Sequence, residues 1–324
     1  MKLSIQLHPD FERCDSVKEP RLSGDRQGIE WAIYQAVAYA DVFDYPLTLP
    51  EVHRFLAYKL CSPEVVRTIL EGSDWATAYL SQEQGFFTLR GREALVEIRR
   101  RRGKIAANLW PKAIRYGRQI AALPFVRMVA VTGALAVDNV EASADLDYLV
   151  ITQTGRLWLC RALVILMVRW AALQGITICP NTFLSEQALF YPQHNLFTAH
   201  EMVQMVPIAG LEIYHRMRQL NCWTFNFLPN AVDPPWRNIP MQEDIKPEKL
   251  RAVAETVLST APGSRLEHWE MKRKLRKFSR RNARSAEAAF SADWCKGHFD
   301  NHGQRTLAAY YSRLEAFKEN NGPV

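Results

Sequence analysis

The chain has 324 residues, of which 48% are hydrophobic and 23% are charged, and this composition excludes disorder over most of the length. Lys and Arg outnumber Asp and Glu by 41 to 34, which gives a net charge of +7. The positive charge weakly favours a polyanionic partner such as a nucleic acid or a nucleotide phosphate, although many basic proteins bind neither. A chain of this length has room for two or three domains, each with its own core.

Residues 1–28 are polar and irregular, which predicts a flexible tail. They contain no uninterrupted apolar segment, so we expect no signal peptide. The most apolar stretch, residues 157–173, contains Arg161 and Arg169 and is shorter than the about 20 residues that span a bilayer. The six cysteines have no CxxC spacing, which indicates reduced thiols. Together these features predict a cytoplasmic protein without a membrane segment.

The next segment, residues 29–104, predicts a first domain made of helices and a β-hairpin. Helical spacing and end signals place three helices and one hairpin in residues 28–43, 49–60, 62–72 and 75–91, respectively. Three helices followed by a hairpin resemble the winged helix-turn-helix family. That resemblance implies DNA binding through the third helix.

The composition of the third predicted helix suits packing or protein interaction as well as it suits DNA binding. Arg67 is its one base-reading side chain, and Glu64 and Glu71 lie beside it. Acidic residues are unfavourable in a helix that enters the major groove. A winged helix used for packing or for protein interaction therefore stays open as the alternative.

Residues 105–229 predict a second domain with an α/β (α+β) core and a small mixed sheet. A helix over residues 105–122, interrupted at Pro111, precedes an alternation of apolar strands and helices. A proline-rich linker follows at residues 230–240, and the remainder to residue 324 predicts a basic helical C-terminal region.

Two aspartates, Asp145 and Asp147, stand at the start of the apolar run that ends at Thr152. Alternate residues of a strand point to the same face and are about 6.6 Å apart along it. Two carboxylates on one face repel each other unless a cation lies between them, and oxygen ligands suit Mg²⁺. Gly133, twelve residues before Asp145, ends the preceding strand, where backbone N–H groups can approach a phosphate closely.

This arrangement resembles the nucleotidyltransferases of the DNA polymerase beta superfamily. Their pattern is an apolar residue, Gly-Ser, nine or ten further residues, then Asp-x-Asp and an apolar run. In this chain the pattern stands as Gly133-Ala134 after Val131-Thr132, followed by Asp145-Leu146-Asp147 and an apolar run. The whole chain also resembles bacterial proteins that carry a winged helix ahead of such a domain.

The resemblance implies transfer of a nucleoside monophosphate from an NTP to a hydroxyl of a nucleic acid, a protein or a small molecule. Asp145 and Asp147 would bind Mg²⁺ or Mn²⁺ together with a third carboxylate on a later strand, and the metal ions would activate the hydroxyl and hold the triphosphate. Gly133 and Ala134 would contact the β- and γ-phosphates. Glu186, at the end of a strand predicted from residue 176, is the candidate for the third carboxylate.

Several positions depart from the family pattern. Ala134 replaces the serine, Val137-Asp138 replace a usual Arg-Gly, and Ala144 replaces a serine often found before the first aspartate. The middle of the strand before Glu186 carries Asn181, a poor Mg²⁺ ligand. These departures favour an alternative, in which a catalytically degenerate nucleotidyltransferase fold serves as a regulatory module that binds a nucleic acid or a protein.

A strongly basic segment lies near the C-terminus. Residues 272–284 hold eight basic residues and no acidic ones, namely Lys272, Arg273, Lys274, Arg276, Lys277, Arg280, Arg281 and Arg284. Leu266, Trp269, Leu275 and Phe278 recur at multiples of three, so we expect a helix that packs an apolar stripe and exposes a basic face. That face fits a polyanion-binding surface or an ordinary solvated one.

Overall fold

The computed structural model of the protein describes residues 25–173, 175, 177–232, 235, 249–282, 289–297 and 301–321. Over these residues the architecture mixes helices with two small sheets, as the sequence predicted. None of the helices in this part of the chain has the length and apolar character needed to cross a bilayer. Most of the predicted tail lies outside the described residues, but its last residues belong to a helix that begins at Arg26 and is capped by Asp25.

An N-terminal module, residues 26–89, contains four helices and a three-stranded antiparallel sheet in the order β1-β3-β2. Its elements are α1 (Arg26–Asp41), β1 (Leu47–Thr48), α2 (Leu49–Arg54), α3 (Pro63–Gly72), α4 (Asp74–Tyr79), β2 (Leu80–Glu83) and β3 (Phe86–Leu89). Thr48 and Glu51 form a capping box at the start of α2, and Gln84-Gly85, both with positive φ, turn the hairpin. Helix α4 was not predicted.

A single long helix, α5 (Leu95–Ala121), connects the N-terminal module with the second sheet. The predicted domain boundary between residues 104 and 105 lies inside this helix, and Pro111 does not end it. The chain therefore continues as one helix through the predicted division. Helix α5 keeps an apolar face with buried Trp110, Tyr116 and Ile120, and this packing holds the helix together across the proline.

The second sheet has six strands in the order β7-β4-β5-β6-β9-β8. The strands are β4 (Val126–Val131), β5 (Leu146–Thr152), β6 (Ile178–Ser185), β7 (Val206–Ala209), β8 (Ala289–Phe290) and β9 (Trp294–Lys296). Strands β5 and β6 are parallel, and the other neighbours are antiparallel. The region after residue 230 was predicted to be helical, yet it contributes β8 and β9 to this sheet.

Seven further helices accompany the six-stranded sheet in the described chain. They are α6 (Gly133–Ala136), α7 (Leu157–Ala172), α8 (Leu196–Gln204), α9 (Leu211–Leu220), α10 (Lys249–Leu258), α11 (Ala261–Asn282) and α12 (His302–Asn321). A 3₁₀ turn, Cys222–Asn226, follows α9.

The six-stranded sheet separates two hydrophobic cores. Val129, Val131 and Val150 point towards α5 and α7. Leu149 and Ile151 point the other way and belong to a core that continues into α1, α2 and α3 of the N-terminal module. Because this second core is continuous, the N-terminal module packs directly on the face of the sheet and shares its hydrophobic core.

The cysteines depart from the prediction at one position. Cys61, Cys160, Cys179 and Cys295 are free thiols, as expected. Cys222 is disulfide-bonded, so the prediction of reduced thiols fails there.

Candidate functional site

Gly133 and Asp147 are in direct contact where β4 and β5 meet. The two strands are antiparallel, with Val131 opposite Tyr148, and the Thr132 amide donates to the Asp147 carbonyl oxygen at 3.0 Å. Gly133 has a φ of +66°, and a Cβ placed on it would lie 2.7 Å from Asp147 Oδ2. This close approach and left-handed backbone both require glycine, and they leave the Gly133 backbone against the carboxylate.

The Asp147 carboxylate is largely buried and strongly perturbed. Burial raises its pKa to about 7, the negative charge of Asp145 adds to the increase, and a hydrogen bond from Asn181 opposes it. That bond joins Asn181 Nδ2 to Asp147 Oδ1 at 2.6 Å. Asp145 precedes β5 and is exposed, so the two aspartates are electrostatic neighbours with different access to solvent.

Asn181 reaches Asp147 because β6 is irregular. Asp147 is paired with Cys179, whereas Leu149 is paired with Thr182, so β6 has one more residue than β5 over this interval. A bulge of this kind turns an extra side chain towards the neighbouring strand, and Pro180 lies at the irregularity. The sequence placed Asn181 on this strand but gave no signal that it bonds to Asp147.

Glu186 is not part of this site, and its predicted role as the third carboxylate is wrong. It follows β6, whose last residue Ser185 is paired with Thr152 at the far end of β5. It is seven residues beyond Cys179, about 23 Å along an extended strand. Its carboxylate instead accepts a hydrogen bond from the Thr154 amide at 3.4 Å. Parallel pairing with β5 fixes this separation.

The metal-binding potential of the site rests on few donors. Within the residues that the structure describes, no group of three or more His, Cys, Asp or Glu side chains could hold a metal ion. The two aspartates supply carboxylate oxygens, and Asn181 supplies an amide where the pattern requires a third acid. Mg²⁺ is commonly held by one or two carboxylates together with waters and substrate phosphates, and Asp145 and Asp147 are the two acidic residues at this position.

The loop between Gly133 and Asp145 is anchored from two sides. Asn139 Nδ2 donates to the Phe43 carbonyl oxygen at 3.0 Å, and Trp110 Nε1 donates to Asp138 Oδ1 at 2.8 Å. Arg99 Nη1, buried on α5, donates to the Asp138 carbonyl oxygen at 3.1 Å. Asp138 therefore has a structural role at one of the positions that depart from the family pattern.

A cavity of about 340 Å³ lies between the N-terminal module and the sheet face that carries Asp147. Gly133, Ala134, Asp147 and Asn181 line it, and Asp145 does not. Its further polar lining includes Thr182, Glu201, Lys296 and His302. Lys296 Nζ lies 3.5 Å from Glu201 Oε2, so a cation and an anion face the cavity together.

Sequence reasoning missed Thr182, Glu201 and Lys296 as cavity residues. Lys296 reaches the site because β9 pairs with β6 and places it opposite Thr182. No local motif predicts this pairing, because the two residues are more than a hundred positions apart in the sequence. His302, at the start of α12, also lines the cavity.

The basic segment is only partly the surface that the sequence predicted. Glu270, which is buried, pairs with Arg273 Nε at 2.6 Å and with Lys274 Nζ at 3.8 Å, so two of the charges are compensated. Leu275 and Phe278 pack against the core, but Leu266 and Trp269 are 44% and 59% exposed.

The other basic residues of the segment are either exposed on α11 or outside the described residues. The side chains of Arg280 and Arg281 and the whole of Arg284 lie outside the described residues. Lys272, Arg276 and Lys277 are exposed on α11. The polyanion-binding role of the eight residues stays a prediction.

Helix α3, the candidate DNA-reading helix, presents a mixed surface. Arg67 pairs with Glu71 at 3.5 Å, and both side chains are at least half exposed. Val66, Ile69 and Leu70 fill the core of the N-terminal module. The pairing reduces the charge that Arg67 can offer to a phosphate.

Comparison of the chain with protein-family models, with curated proteins and with solved structures gives no match. The site geometry alone therefore carries the functional argument.

Proposed function

We propose that the protein is a Mg²⁺-dependent nucleotidyltransferase that moves a nucleoside monophosphate from an NTP to a hydroxyl acceptor. The observation that carries the proposal is the contact between Gly133 and the Asp147 carboxylate at the edge of a cavity. At this place a phosphate can approach the exposed Gly133 backbone, and the neighbouring Asp147 carboxylate can bind a divalent cation. Bound Mg²⁺ would neutralise phosphate charge and lower the pKa of the attacking hydroxyl.

The residues of the chain have separate roles in this proposal. Asp145 and Asp147 hold the metal ion, and the backbone at Gly133-Ala134 lies against the phosphates. Asn181 orients the Asp147 carboxylate through its 2.6 Å hydrogen bond. The N-terminal module faces Asp147 across the cavity.

A second candidate function is a nucleotidyltransferase-like module that binds a nucleic acid or a partner protein without catalysis. Asn181 favours it, because an amide stands beside Asp147 where a third carboxylate would complete a two-metal site. Ala134 favours it as well, since a hydroxyl donor to phosphate is absent at that position.

The deciding experiment incubates the full chain with each α-³²P-labelled NTP in Mg²⁺ or Mn²⁺ and measures NTP binding and label transfer. The variants are Asp145→Ala/Asp147→Ala and, as a matched control, Glu186→Gln at the other end of the sheet. We expect the double variant to lose transfer and the control to keep it. NTP binding without transfer to any acceptor would exclude the enzyme and leave the binding module.

A further inference from the structure

The cavity beside Asp147 has the size and lining of a small-molecule site. Its volume of about 340 Å³ is within the ~300–1,000 Å³ range of ligand pockets. It lies under the N-terminal module, where α1 and the residues that follow α1 and α2 form one wall, while the sheet forms the opposite wall. A polymer such as duplex DNA does not fit a space of this size.

The wall formed by the sheet is polar. Leu149 on β5, Thr182 on β6 and Lys296 on β9 are in register across three neighbouring strands, and Asp147 lies two residues before Leu149 on the same face of β5. Two strand spacings separate β5 from β9, a distance of about 10 Å. Lys296 Nζ also lies 5.7 Å from the centroid of the Tyr191 ring. A ligand on this wall therefore meets a carboxylate, a hydroxyl and an ammonium group.

The wall that faces the sheet is apolar, and its small side chains leave room for a ligand. Ala36 and Ala40 of α1, four residues apart and therefore on one face of the helix, line the cavity together with Tyr39. Phe43 and Phe55, which follow the ends of α1 and α2, extend the aromatic lining. A flat apolar ring system suits such a surface.

The two aspartates differ in their exposure to solvent and in their access to the cavity. Asp145 is exposed and does not line the cavity, whereas Asp147 does. Gly133 and Ala134 are exposed and also line the cavity, so a triphosphate against their backbone would lie at the solvent side of the cavity. An acceptor inside the cavity would then meet the nucleotide at Asp147.

We propose that the cavity binds the acceptor and that this acceptor is a small aromatic alcohol. The inference rests on the proposed nucleotidyltransferase function. The acceptor hydroxyl oxygen forms a bond to the α-phosphorus, the bond from that phosphorus to the leaving pyrophosphate breaks, and the hydroxyl proton passes to water. The N-terminal module is then the acceptor-binding wall of the enzyme and not a reader of nucleic acid.

The test uses 2-naphthol as a fluorescent probe and the full-length chain. Ala40→Phe fills the cavity from α1, and Ala36→Leu does so one turn away with a smaller side chain. The matched control is Ala107→Phe, which adds the same ring on the exposed side of α5. Binding of 2-naphthol and of labelled NTP is titrated separately for each variant, and circular dichroism confirms that each is folded.

We expect saturable one-to-one binding of 2-naphthol to the wild type and to Ala107→Phe, weakened at least about tenfold in both cavity variants. NTP binding should be unchanged in all four proteins. Absence of saturable naphthol binding, equal affinity in the cavity variants, or displacement of naphthol by NTP would overturn the proposal, the last because the cavity would then hold the nucleobase. Naphthol binding without Mg²⁺-dependent NTP binding would contradict the nucleotidyltransferase function but support the cavity as a ligand site.

Discussion

At the scale of single residues, Asp147 is a carboxylate of the candidate site whose pKa is raised well above its ordinary value. Three neighbours act on its carboxylate. Gly133 lies against it, Asn181 donates a hydrogen bond to it, and the negative charge of Asp145 repels it. Such a carboxylate is more stable in the folded chain when it carries a proton or shares a cation.

The raised pKa of Asp147 predicts a pH-dependent stability. A carboxyl whose pKa is about 7 in the folded chain and 3.8 in the unfolded chain binds its proton better when folded. The free energy of unfolding therefore decreases as the pH rises from about 4 to about 7. Asp147→Asn should remove this loss, so the variant should be more stable than the wild type at pH 8, by about 1–4 kcal/mol, and similar at pH 4.

Urea unfolding in the presence of a chelator at both pH values measures the effect. Asp145→Asn, at an exposed carboxylate, is the control and should change stability little at either pH. Equal stability of Asp147→Asn and wild type at pH 8 would show that Asp147 titrates normally.

Gly133 supports a second residue-scale prediction. Gly133→Ala places a Cβ 2.7 Å from Asp147 Oδ2 in a backbone with φ of +66°, and we expect a loss of about 2–4 kcal/mol in stability. Gly85→Ala is the matched control, because Gly85 has a φ of +83° and open space around it. Thermal unfolding of both variants separates backbone strain from the contact with Asp147; equal losses would argue against the contact.

At the scale of elements, helix α1 contacts three parts of the molecule. It contributes to the core of the N-terminal module, lines the cavity and packs against α12. The connection to α12 includes Phe317, whose ring centroid lies 4.1 Å from that of Tyr34. The C-terminal helix therefore stabilises the element that covers Asp147.

An ion-pair cluster at the end of α1 should be important for this packing. Asp41 is buried and accepts hydrogen bonds from Arg92 at 2.9 Å and from Arg313 of α12 at 2.8 Å. Asp41→Asn removes the charge partner of Arg313 and one of the two charge partners of Arg92, which also pairs with Asp44, and we expect it to lower stability by about 1–3 kcal/mol. Glu71→Gln breaks the exposed pair with Arg67 and should cost less than about 1 kcal/mol. Chemical denaturation of the two variants compares them directly, and similar costs would contradict the structural role of the cluster.

Elements were more predictable from the sequence than their connections. The helix in residues 62–72 and the strand ending at Thr152 were expected nearly at their observed bounds, because period and end signals are local. The bulge in β6 and the pairing of β9 with β6 were not, since both depend on strands far apart in sequence. The misplaced Glu186 has the same cause.

At the scale of the whole molecule, the surface gives limited support for nucleic-acid binding. The positive charge is distributed over ion pairs such as Arg273 with Glu270 and Arg102 with Glu141. We expect duplex DNA to bind weakly, with a slope of log K against log salt shallower than about −3 between 50 and 200 mM. Fluorescence anisotropy of a labelled duplex measures this slope. A slope of about −6 or steeper would indicate many phosphate contacts and support a nucleic-acid-binding module.

The sequence by itself determined the α and β composition, the order of most elements and the pairing of Gly133 with a nearby Asp-x-Asp. These features follow from local periodicity and from short-range spacing. Tertiary structure decided which groups share the site: it brought Asn181 and Lys296 to the face of Asp147, left Glu186 about 23 Å away along the strand, and closed the cavity with α1. Strand pairing and the continuous core are long-range interactions, and no short stretch of sequence specifies them.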